Sequence, residues 1–185
     1  MKPGFALLLL SLAPAWSQVA KPAAALNAPG LPATKAARIP AQTITGLEQA
    51  FNNRLMSMAD VNEAVDLLGD TRGVQLEDYG VVFTTEVSLV RTPNITPFRK
   101  SIPPAMAARV HQLRVERMPL LKAAMMEMMG NMAAACTQIP AHQQLVLVVR
   151  LYYGAWEDTT GMPAQVVMRA TRAEATAGKV ETEAR

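Results

Sequence analysis

The chain has 185 residues, 50% of them hydrophobic, with 18 Lys and Arg against 15 Asp and Glu. So balanced a charge excludes the basic footprint of a nucleic-acid or membrane-surface binder, and the sequence pI of about 9.2 reflects only a small excess of cations. A single cysteine, Cys136, excludes an intramolecular disulfide.

Residues 1–17 read as a cleavable secretory signal. Met1-Lys2-Pro3-Gly4 is a short cationic start, Phe5 to Leu12 an apolar run, and Ala13-Pro14-Ala15-Trp16-Ser17 a small-residue end that leaves Gln18 as the new N-terminus. The run is far shorter than the ~20 apolar residues of a spanning helix, and the remaining sequence contains no other candidate span. No Cys stands at the cleavage point, so a lipoprotein is not expected. The expected location is the periplasm or the extracellular space. Export makes Cys136 informative, because small exported domains often depend on disulfides. This one must hold by its core or by assembly. Cys136 follows Ala133-Ala134-Ala135, a setting that predicts a buried thiol.

Residues 18–43 are rich in Ala and Pro and predict a disordered linker. A single domain is expected over residues 44–173. Its first helix starts at Thr45, where Thr45 and Glu48 have capping-box spacing. Leu47, Phe51, Leu55, Met58, Val61 or Asn62, Val65 and Leu68 then form one apolar face. Gly69 to Gly73 reads as a turn, with Arg72 solvated or in contact with a helix, and Val74-Gln75-Leu76 reads as a short strand or the lead-in to the next one. Tyr79 to Val90 alternates as a strand, with Phe83, Thr85, Val87 and Leu89 on one side. Residues 105–136 predict a long helix, kinked or split at Pro119. Gln144 to Tyr153 is apolar on both faces, which predicts a central strand covered on both sides or nearly so. Ala164 to Thr171 is a further strand, and the polar residues 174–185 predict a frayed tail.

This order predicts an α/β (or α+β) fold: a small mixed sheet of three to four strands packed against two to three helices. Strand-helix-strand favours a parallel pair, and the last two strands favour an antiparallel one.

Chemistry-bearing motifs are sparse. The sequence has no Gly-rich phosphate loop, no His-Glu-x-x-His and no Cys-x-x-Cys. His111 and His142 lie in different elements and read as surface residues, so no metal site is assigned. Met125, Met126, Met128, Met129 and Met132 offer thioethers for Cu(I), but four of them recur at the spacing of a buried helix face. Asn94-Ile95-Thr96 matches a glycosylation acceptor, with Pro97 directly after it.

The segment Tyr152 to Gly161 leaves the central strand at its C-terminal end, where ligands of open α/β sheets bind. A weak ligand site is expected there: Tyr153, Trp156, Glu157 and Asp158, facing Arg91, Arg99 and Lys100 from loop 91–100. Arg150, a charge inside an apolar strand, needs a partner if buried, and Glu86 on the neighbouring strand is the expected one; the alternative is that Arg150 sits at the sheet's end and reaches water. No catalytic residue and no cofactor is assigned. The leading functional expectation is a non-enzymatic binding or assembly module, its partner another envelope protein or a second copy. The alternative is a hydrolase-like enzyme using the 152–161 loop, with Glu157 and Asp158 as acid/base or metal carboxylates. Copper binding comes third.

Overall fold

The computed structural model describes residues 38–58, 65–92 and 101–185. In chain order these form α1 (Ala41–Met56), β1 (Asp66–Leu76), β2 (Gly80–Ser88), α2 (Pro104–Ala135), β3 (Gln144–Leu151), β4 (Gln165–Thr171), α3 (Arg172–Thr176) and β5 (Glu181–Ala184). One mixed sheet carries the strands in the order β1-β2-β3-β4-β5. β2 and β3 are parallel, and the other neighbours are antiparallel. The predicted class holds, with five strands rather than three or four and a third helix of a single turn. Among the described residues no helix is long and apolar enough to cross a membrane. Residues 1–37, where the signal and most of the linker are expected, lie outside the described residues.

The two-residue period of a strand sends alternate side chains to opposite faces. Val81, Phe83 and Val87 of β2, Leu145, Leu147 and Val149 of β3, and Val166 and Met168 of β4 face one way and are buried. Leu47, Phe51 and Leu55 of α1 and Leu121, Met125, Met128, Met129 and Met132 of α2 join them in one core. The methionines at helical spacing are therefore core residues, and only Met126 is substantially exposed. Cys136 is buried, and that burial pushes its thiol up to about 11.

β3 is central, as its composition predicts, but the described helices cover one face of the sheet only. The other face carries Val82, Thr84, Glu86, Val148, Arg150, Val167 and Arg169, none of them buried, beside Val146 at 8% exposure.

Four local expectations are corrected. Val65 does not belong to the first helix, and Leu67 to Gly73 belong to β1; positions 61 and 62 lie outside the described residues. Gly73 serves close packing rather than a turn. A Cβ on Gly73 would collide with the Phe83 ring and with Ile44. The helix begins at Ala41, before the expected boundary, with Pro40 as a cap that makes no side-chain hydrogen bond. Ile39 is already buried. Glu48 makes no capping box; its carboxylate accepts the Gly73 N–H at 2.8 Å. α2 is one helix through Pro119, so the split does not occur, and buried residues lie on both sides of the proline. Residues 174–185 are not a frayed tail. Thr171 and Glu174 form a reciprocal capping box, Gly178 takes a left-handed turn at φ 71°, and β5 pairs with β4.

The free edge of β1 is closed by α1. Asn52 accepts the Thr71 N–H at 3.0 Å, as Glu48 accepts that of Gly73. The two acceptors stand one helical turn apart, so one helix face meets successive unpaired strand donors.

Gly73→Ala is expected to lower unfolding free energy by about 1–3 kcal/mol through overpacking. Gly69→Ala, where a Cβ meets nothing within 4 Å, should stay within about 0.5 kcal/mol of the parent. Urea denaturation of both variants checks the contrast. Iodoacetamide should leave Cys136 unmodified in the native protein at pH 8 and alkylate it after unfolding, as mass spectrometry would read.

Candidate functional site

Because β2 and β3 are parallel, their C-terminal ends lie on the same side of the molecule, and the Tyr152 N–H donates to the Val87 carbonyl at 2.9 Å. The chain after each strand is thereby brought together, as the expected site requires. Trp156 packs against Val90, Val110 and Leu113 in a small satellite core.

Glu157 is the centre of this region. Its side chain is 1% exposed and meets Arg114, which is 0% exposed. Arg114 Nε donates to Glu157 Oε2 at 2.5 Å, and Arg114 Nη2 to Oε1 at 2.9 Å. The Gly154 N–H donates to the same Oε1 at 2.8 Å. Thr92 Oγ1 lies 3.5 Å from it. Arg114 Nη2 also donates to Ser88 Oγ at 3.1 Å, and the Ser88 hydroxyl donates in turn to the Val90 carbonyl at 2.8 Å. The guanidinium sits over the Tyr153 ring, 4.9 Å from its centroid. Tyr153 Oη donates to the Pro163 carbonyl at 2.7 Å. Burial raises the Tyr153 phenol above its usual range.

Two parallel N–H···O bonds to a carboxylate are the strongest form of this contact. Both oxygens of Glu157 are engaged and the group is out of solvent. A carboxylate so placed has no open position from which to exchange a proton with a substrate. Its role in the geometry is to tie the β3–β4 loop to α2. Among the described residues, the buried Arg114 Nη1 has no hydrogen-bond partner.

Asp158, the neighbouring acid, points elsewhere. It is exposed, and its Oδ1 accepts the Thr160 N–H at 2.9 Å. Hydrogen bonds from Thr160 hold its carboxyl below the ordinary aspartate range. Its carbonyl oxygen lies 2.9 Å from His111 Nδ1. His142 is exposed. Among the described residues, no group of three or more His, Cys, Asp or Glu could hold a metal ion.

Of the expected cations, Arg91 turns away to Asp66 on β1, with Nε at 2.7 Å from Oδ1. Arg99 and Lys100 lie outside the described residues. The buried cation that meets Glu157 is Arg114, which sequence reasoning passed over. Its signal was available: Val110, Arg114, Arg117 and Leu121 share one helix stripe, so two arginines stand where apolar residues belong. Arg117 is also buried, and its Nη1 donates to the Leu89 carbonyl.

Glu86 and Arg150 are direct partners in the β2–β3 register. They stand on the uncovered face of the sheet, and Arg150 is exposed. The ion pair expected between them is not formed; among the described residues neither side chain has an ion-pair partner. Clefts lie elsewhere. One of about 650 Å³ is lined by Tyr79, Gln144, Arg169, Lys179 and Glu181. Another, of about 360 Å³, runs between α1 and α2 over Phe51, Ala124 and Met128.

No known family model matches the chain, and no curated protein or solved structure shows a significant similarity to it.

Removing one partner from a buried ion pair strands the other, at a cost of about 3–5 kcal/mol. Glu157→Met is expected to destabilise by that amount. The double variant Arg114→Met with Glu157→Met should be markedly more stable than the single variant, because apolar replacement removes both charges together. A double-mutant cycle in urea measures the difference.

Proposed function

We propose that this chain is an exported, non-enzymatic binding or assembly module, and that its contact surface is the uncovered face of the sheet. The observation that carries this reading is the one-sided covering of a mixed sheet. α1 and α2 lie on one face, while Val82, Val146, Val148 and Val167 line the other with no described helix over them. Apolar groups arrayed on an exposed surface and rimmed by charges are a hallmark of interaction sites. Arg72, Glu86, Arg150, Arg169 and Glu181 supply that rim.

Strand addition at an edge is the other common mode of sheet recognition, and both edges discourage it. α1 occupies donors along β1. β5 has four residues, and its outward-facing Glu181 is locked to Arg169 at 2.8 Å. Short, charged edge strands resist pairing. Acid–base catalysis by Glu157 and Asp158 is not adopted, because one is saturated by Arg114 and the other caps its own turn. The reading of residues 1–17 as a signal supports export.

A photocrosslinking residue placed at Val148 or Val167 in cells should give a polypeptide adduct. The same residue at Val115, exposed on α2, should give none. Equal yields at all three positions would remove the face from consideration. N-terminal sequencing of the chain recovered from the envelope or the medium should begin at Gln18; an intact Met1 terminus would oppose export.

A further inference from the structure

We infer that the partner on this face is a second copy of the same chain, with Glu86 of each copy set against Arg150 of the other. The inference rests on the preceding reading and names its partner. It starts from two opposite charges that stand side by side and do not pair. Glu86 and Arg150 are register partners on adjacent parallel strands, and each is without an ion pair among the described residues.

The register of β2 and β3 gives this pair a symmetry property. A two-fold axis running along the strands, midway between β2 and β3, exchanges the two strands without reversing either. Laid face to face about that axis, each residue of β2 meets its own register partner on the other copy. Val82 meets Val146, Thr84 meets Val148 and Glu86 meets Arg150, each contact made twice. The centre of the contact is apolar and one end is closed by two reciprocal ion pairs.

The flanks agree with the centre. The same axis lays β1 over β4 of the other copy, so Val74 meets Arg169 and Arg72 meets Val167. Arginine stems cover valines while their charged ends stay wet. Val74 is 55% exposed within one copy, which this contact would reduce. Sheets stacked face to face lie about 10 Å apart with strands within about 30° of each other, and an axis along the strands produces that aligned arrangement. A contact of this kind is isologous, with the same patch used by both copies.

The test is sedimentation equilibrium of the mature chain across the micromolar range, with the parent, Glu86→Arg, Arg150→Glu and the double exchange. The parent should be a dimer. Each single reversal places like charges opposite each other twice and should raise the dissociation constant by about 100-fold. The double exchange should return it to within about threefold of the parent. Circular dichroism and thermal melting of each variant establish that it is folded. A monomeric parent, or a dimer indifferent to both reversals, overturns the inference. The photocrosslinker at Val148 separates the two levels. An adduct with a different protein overturns the second copy and keeps the binding face. No adduct, or one only to residues 1–37 of the same chain, overturns both.

Discussion

β2 and β3 run parallel at the middle of the sheet, and a parallel pair cannot be joined by a tight turn. The chain must travel back the full length of the sheet between them, and α2 is the principal element that makes the journey. Its 32 residues exceed what two eight- or nine-residue strands can cover. The C-terminal half lies on the core through Leu121, Met125, Met128, Met129 and Met132. The N-terminal half extends to the strand ends, where Arg114 meets Glu157. The same parallel relation puts the C-terminal ends of both strands on one side, so the loop after β3 and the segment after β2 are neighbours. The buried ion pair is thus a fastening made possible by the crossover, joining helix, loop and strand end where no regular backbone pairing links them.

The central elements were legible because their signals are local and apolar. Tyr79 to Val90 and Gln144 to Tyr153 alternate or saturate with β-branched residues, and the strand-helix-strand order implies their parallel relation. The Leu47, Phe51 and Leu55 stripe marked α1, and the methionine spacing marked a buried face of α2. The missed elements have signals of another kind. β1 contains Gly69, Asp70 and Gly73, which locally favour a turn; it is a strand because Phe83 packs against the bare backbone of Gly73. β5 is exposed throughout, so it has no apolar pattern to read. Backbone bonds to β4 and the Arg169–Glu181 pair hold it.

The site expectation divided in the same way. Strand direction brought the segment after β2 and the 152–161 loop together, which sequence order could foresee. Charge pairing followed the accidents of reach. Arg91 found Asp66, and Glu157 found Arg114 from a helix treated as apolar. A charge on a buried stripe invites a search for its opposite across the whole chain, because an unpaired one is so costly. Arg150 taught the converse. Its expected partner is the adjacent residue in the register, yet exposure to water removes any need for the pair to close.

The side chains of Asn52 and Glu48 on the edge of β1 also bear on how large an assembly can become. A sheet with two open edges can add strands without limit, and such growth ends in fibres. With one border capped and the other short and charged, lateral propagation has no starting point. Association through the remaining face consumes that face in both participants. Were the proposed face-to-face contact to form, assembly would stop at two copies, because neither edge offers a place for further growth.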